Sequence, residues 1–110
     1  MKQDLDLKSQ VKQILALVQK TAPGKSVELR IPPYAAIQCV KGSTHRRGTP
    51  SNEVEMSAEA LITLSRNPTA WGSLCSTGEI SASGINSNLS EIFIRLSKPG
   101  SYLDGSGLGK

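Results

Sequence analysis

The sequence predicts an α+β domain, a mainly antiparallel sheet with helices packed over one face. Two patterns carry this expectation. Apolar residues recur at three- and four-residue spacing near both ends of the 110-residue chain, which marks amphipathic helices. Between them three short strand-like segments stand in a run, and consecutive strands favour hairpins. No internal repeat is visible. The length suits one domain, taken as residues 1–97, which buries roughly two thirds of the surface its unfolded chain exposes.

Residues 4–20 place Leu7, Val11, Ile14, Leu15 and Val18 on one helical face, with Lys8, Lys12, Gln13 and Lys20 opposite. Ala22-Pro23-Gly24 stops this helix. "SVELRI" alternates, with Val27, Leu29 and Ile31 on one side and Glu28 and Arg30 on the other. Pro32-Pro33 ends the strand, because neither residue can donate to a ladder. "YAAIQCV" is a second strand. Ala35, Ile37 and Cys39 form its more apolar face and are expected to point inward; the other set is Ala36, Gln38 and Val40.

A polar loop, residues 41–51, leads to "NEVEM", a strand with Val54 and Met56 inward. Ser57 then reads as the N-cap of a helix running to about Ser65, with Leu61 and Leu64 inward. Asn67-Pro68 breaks it, and Thr69 is expected to cap a short helix through Trp71 and Leu74 that Gly78 closes. "EISASG" is the last strand, with Ile80 and Ala82 alternating against Ser81 and Ser83. Asn88 stands three residues before Glu91, the spacing of a capping box, and opens a helix whose apolar face is Leu89, Ile92, Phe93 and Leu96. Residues 98–110 are rich in Gly and Ser and lack periodicity, so disorder is expected there.

Phe93, Trp71, Tyr34 and Tyr102 are the only aromatic residues, so the core must be mostly aliphatic. No apolar run approaches the length of a membrane span. The opening "MKQDLDLKSQ" mixes charge signs without an apolar stretch, so no signal peptide is expected and the expected location is cytoplasmic. Two cysteines do not make a disulfide scaffold. Residues 25–50 hold Lys25, Arg30, Lys41, Arg46 and Arg47 against Glu28, while the other residues carry eight basic and eight acidic groups. The whole net charge of +4 therefore sits in one segment, which draws anions modestly.

The chemistry-bearing stretch is "THRRGTPSN", residues 44–52, with the one histidine, His45, beside Arg46 and Arg47. His45 is the only imidazole, there is no nucleophile elbow, and neither cysteine stands in a motif that would activate it, so catalysis is not expected. No C-x-x-C pair and no second histidine support a metal site. Cys39 and Cys75 are expected to be buried small hydrophobes. The glycines of "DGSGLGK" lack the flanking strand and helix of a phosphate cradle, so no cofactor is expected. The cations lack interleaved aromatics, which argues against a nucleic-acid partner. Two readings of the loop stand. Its arginines either satisfy Glu53, Glu55 or backbone carbonyls, or offer planar forks to a carboxylate or phosphate. Tyr34 and Gln38 could line the same mouth. Trp71 is expected in the core.

"VELRIPPYAAIQCVKG", "THRRGTPSNEVEM" and "TGEISASG" together resemble the sterol carrier protein type 2 superfamily, in a compact bacterial sterol-carrier-like branch, over roughly residues 10–96. The resemblance implies a curved antiparallel sheet, helices over one face, an apolar tunnel between the layers, and non-catalytic binding of fatty acids, acyl-coenzyme A or sterols. That superfamily has five strands where the alternation here marks four, so a four- to five-stranded sheet is expected. A smaller sheet implies a smaller tunnel, better suited to an acyl chain than to a sterol. Burying ten methylenes is worth about 8 kcal/mol before ordering costs.

The expected function is thus lipid binding or lipid transfer, with transient contact at a membrane surface. Tyr34, Ile37, Leu61, Leu64, Ile92 and Phe93 are the expected ligand wall, and His45, Arg46 and Arg47 a rim facing an anionic headgroup. The alternative is a ligand-free module that docks an acidic protein partner through the basic loop, residues 41–50.

Overall fold

A computed structural model describes residues 2–42, 52–84 and 87–97 of the chain. Helix α1 (Lys2–Thr21) is followed by strands β1 (Val27–Ile31), β2 (Ala35–Cys39) and β3 (Asn52–Met56). Helix α2 (Ala58–Arg66), a 3-10 turn (Pro68–Ala70), helix α3 (Trp71–Ser76), strand β4 (Ile80–Ser83) and helix α4 (Ser90–Ser97) complete the order. His45, Arg46 and Arg47, and the tail 98–110, lie outside the described residues.

The described strands form one four-stranded sheet in the order β2-β1-β3-β4. β1 pairs antiparallel with β2, setting Leu29 opposite Ile37 and Val27 opposite Cys39. β3 pairs antiparallel with β4. The central pair corrects the antiparallel expectation: β1 and β3 run parallel, with Leu29 opposite Val54 and Val27 opposite Asn52. The sheet is therefore mixed, and a fifth strand is not among the described residues. The physical reason lies in the hairpin. β2 turns back along β1 and leaves the sheet at the end where β1 began. A chain re-entering at that end on the other side of β1 must run alongside it in parallel. The connection between Cys39 and Asn52 is long enough for such a crossing, which a two-residue turn could not make.

Alternation decides which face is covered. Val27, Leu29, Ile31, Cys39, Val54, Met56 and Ile80 are buried, while Arg30, Glu53, Glu55 and Ser81 are exposed on the other side. Against the apolar face lie Val11, Leu15 and Val18 of α1, Leu61 and Leu64 of α2, Trp71 of α3, and Ile92 and Phe93 of α4. α1 packs on α2, α4 and β2, and Gln19 Nε2 donates to Gln38 O at 3.1 Å, tying α1 to the edge strand. Ala35, Ile37 and Cys39 do face the core, but only Cys39 is fully buried on this edge strand. Ala82, expected to alternate inward, is exposed: on the far edge strand only Ile80 is buried.

Local caps follow the sequence at Ser57 and Gly78, and in part at Asn88. Ser57 Oγ accepts from Ala60 N at 3.0 Å and opens α2. Gly78, at φ 86, closes α3, its N–H donating to Cys75 O. Asn88 Oδ1 accepts from Ser90 N at 2.9 Å, a local turn ahead of α4, and it is the Leu89 carbonyl that accepts from Ile92 N and Phe93 N as the helix begins. Thr69 is not a cap. Its hydroxyl donates to Asn67 Oδ1 at 2.6 Å, and Pro68 starts a 3-10 turn that runs straight into α3. That turn leaves Thr69 inside it rather than before it.

Asn52 is buried although it is polar. It heads β3 beside the start of β1, and its Nδ2 donates to Ser26 O at 2.9 Å. Gly84, at φ 107, sits directly against it, where a Cβ would overlap the Asn52 carboxamide. Truncating Asn52 leaves a buried carbonyl without its donor, which costs about 1–3 kcal/mol. Urea unfolding of Asn52→Ala is expected to show that loss, and Gly84→Ala a comparable one.

Candidate functional site

At the end of the sheet where β1 begins and β2 ends, the structure holds an open groove of about 640 Å³. Thr21, Ala22 and Pro23, from the α1–β1 connection, form one side. Val40 and Lys41, where the chain leaves β2, form a second. Asn88, Leu89, Glu91, Ile92 and Arg95, at the start of α4 and along it, form the third. Leu89 and Ile92 belong to the core, so the floor of the groove is the margin of the core itself. The rim is charged, with Lys41 and Arg95 as cations and Glu91 as a carboxylate.

The backbone at Val40 is unusual. Val40 has φ 69, in the left-handed region that β-branched residues avoid. Three hydrogen bonds hold it there. Val40 N donates to Ala22 O at 2.7 Å, and Val40 O accepts from Ser26 N at 3.0 Å and from Ser26 Oγ at 2.8 Å. Gly24 lies against the same carbonyl, where any Cβ would overlap it. The kink turns the chain out of β2 and sets Val40 and Lys41 side by side in the groove wall.

Of the expected ligand residues that the structure describes, Ile92 alone lines this groove. Leu61, Leu64 and Phe93 are fully buried in the core, where with Leu29 they fill the space between helices and sheet. Ile37 is half-buried beside Leu29. Tyr34 closes the β1–β2 turn, its N–H donating to Ile31 O at 2.8 Å, at the opposite end of β2 from Val40. The structure thus separates Tyr34 from the groove by the length of a strand. Val40, Ala22, Pro23 and Leu89 were not expected at a site. Lys41 had a signal, since it opens the basic segment; the left-handed valine had none.

A second, smaller hollow of about 270 Å³ lies at the other end of the sheet, beside Pro32, Met56 and Gly78. Its rim carries Glu55 and Glu79. Among the described residues no helix is long and apolar enough to cross a membrane, and no group of three or more His, Cys, Asp or Glu could hold a metal ion.

Both cysteines are free thiols. Cys39 is fully buried next to Val40, and burial pushes its pKa up from 9.0 to about 11. Cys75 is only half-buried, which corrects the expectation that both are interior; desolvation still raises its pKa.

The match to known families agrees with this architecture. A model described as bacterial SCP ortholog covers residues 3–94. The chain belongs to this bacterial sterol-carrier-like family. No curated protein matches it. Membership covers α1 through most of α4 and therefore every wall of the groove except Arg95.

Two outcomes follow from the Val40 corner. The left-handed backbone costs a non-glycine residue about 1–2 kcal/mol. Val40→Gly is therefore expected to be more stable than Val40→Ala by about 1 kcal/mol in urea unfolding, the reverse of the usual order. The Cys39 thiol is held protonated in the folded state. Its contribution is fully present below pH 9 and is lost as pH rises towards 11, because the unfolded chain deprotonates first. Relative to Cys39→Ala, the native protein is expected to lose at most about 3 kcal/mol across that window.

Proposed function

We propose that the protein is a non-catalytic lipid carrier that holds a single acyl chain. The observation that supports this most is the groove of about 640 Å³, whose apolar floor is continuous with the core and whose rim is charged. That volume falls within the roughly 300–1,000 Å³ range of ligand sites. The sterol-carrier-like family points the same way at a coarse level. Apolar contact from Ala22, Pro23, Val40, Leu89 and Ile92 would supply affinity, at about 25 cal/mol for each Å² removed from water. His45, Arg46 and Arg47 follow Lys41 closely in the chain and remain candidates for the rim, and exchange would occur at a membrane surface.

Native mass spectrometry of freshly purified protein is expected to show a bound mass in the single-chain lipid range, removed by solvent extraction and restored by adding fatty acid. Identical masses before and after extraction, with no binding of a fluorescent acyl probe, would rule the carrier out.

A second reading has its own support. Leu29, Leu61, Leu64 and Phe93 are fully buried, and they occupy the space in which an interlayer tunnel would run. On that reading the protein is a filled interaction module, and the basic segment from Lys41 onward binds an acidic protein partner. It requires that no lipid is retained and no acyl probe binds.

A further inference from the structure

We propose that the groove is the docking site of the chain's own carboxyl-terminal segment, with Tyr102 and Leu103 seated against Leu89 and Ile92. Docking itself needs only the groove, while its consequence for an acyl ligand rests on the lipid-carrier reading. Three observations carry it.

The first is where the chain leaves the fold. α4 forms one side of the groove from Asn88 to Arg95, and it ends at Ser97. Residues 98–110 therefore continue from the groove's own wall, just past Arg95. A segment tethered there meets the groove at an effective concentration of roughly millimolar order, so weak contact is enough to seat it. The family match ends at residue 94, and this segment lies outside the matched range.

The second is the sequence that follows the helix. Lys98-Pro99-Gly100-Ser101 has proline and glycine at the two central positions, the pairing suited to a type II turn. Proline cannot extend the helix, and such a turn would send the chain back along α4 rather than away from it. Two extended residues beyond the turn cover about 7 Å. The same length of α-helix is about five residues, which counts back from Lys98 to Phe93, beside the groove residue Ile92. Leu103 would thus come level with the apolar floor.

The third is the kind of side chain brought there. Tyr102 and Leu103 are an adjacent apolar pair, while Asp, Gly, Ser and Lys make up all of residues 104–110 except Leu108. The other aromatic residues, Trp71, Phe93 and Tyr34, lie in the core or pack against it. A tyrosine ring needs one apolar side and one wet end. The groove provides both, with Leu89 and Ile92 at its floor and an open rim above them. The seated segment and an acyl chain would cover the same floor, so each excludes the other.

The test uses the delipidated full-length protein, NMR, and cis-parinaric acid as a fluorescent acyl probe. Native protein is expected to show contacts between the Tyr102 ring and the methyl groups of Leu89 and Ile92. In the full-length variant combining Tyr102→Ser and Leu103→Ser, with thermal melts as the fold control, resonances of Val40, Leu89 and Ile92 should shift. If the segment is seated for about nine-tenths of the time, the variant should bind the probe about tenfold more tightly than the native protein. Absence of the Tyr102 contacts, or Leu89 and Ile92 resonances that stay fixed in the variant, overturns the docking. Contacts found only between differently labelled copies overturn it too, since the occupant is then a second copy of the chain. Equal probe affinity in the two proteins, with the contacts present, overturns the exclusion of the acyl chain. If neither protein binds the probe, the carrier reading fails, and the methyl contacts alone decide the docking.

Discussion

The carbonyl of Val40 is the point on which the arrangement turns. It accepts from both the amide and the hydroxyl of Ser26, while the Val40 amide reaches back to Ala22. These bonds join the end of α1 to the exit from β2. Ser26 in turn gives its own carbonyl to Asn52, which heads β3, and Gly84 at the end of β4 closes over the Asn52 carboxamide. One small polar knot therefore ties the open ends of all four strands. Buried polar groups are costly when unpaired and specific when paired, so this knot selects one way for four chain segments to meet.

From that corner the rest follows by packing. With β1 held between β2 and β3, its alternating residues place Val27, Leu29 and Ile31 on the covered face. The helices then close over that face with Leu15, Leu61, Leu64 and Phe93. The interior fills with aliphatic side chains because the chain has few aromatics to span it. Space for a ligand is left at the margin instead, where the α1–β1 connection, the β2 exit and α4 meet without interlocking. The knot and the groove share Val40, so the feature that ties the strand ends also shapes the wall of the site.

This sharing explains why strain is tolerated there. A left-handed valine costs stability, but a knot satisfied on both its amide and its carbonyl holds the backbone in place. The electrostatics are similarly local. The net charge of the chain is concentrated in one segment, and Lys41, which opens that segment's basic loop, lines the groove. A cation thus borders an apolar floor, and two consecutive residues, Val40 and Lys41, form that border.

How much of this was readable from the residues alone depends on range. Short-range patterns were sufficient for the four α-helices and four strands of the described residues. Alternation in "VELRI" and "NEVEM", three- and four-residue spacing in α1 and α4, and the Ser57 cap are each decided within a few residues. Strand direction was not, because β1 and β3 become parallel only through a crossing of residues far apart in sequence. Nor was the groove: Ala22, Val40 and Ile92 come to border one groove only once α4 has packed on α1, and Leu61 and Phe93 look no different from wall residues until their burial is known. Local sequence determined periodicity, capping and the placement of charge, since these depend on neighbours along the chain. Tertiary structure decided pairing direction, the left-handed turn at Val40 and which apolar side chains border open space, since each depends on contacts between distant segments.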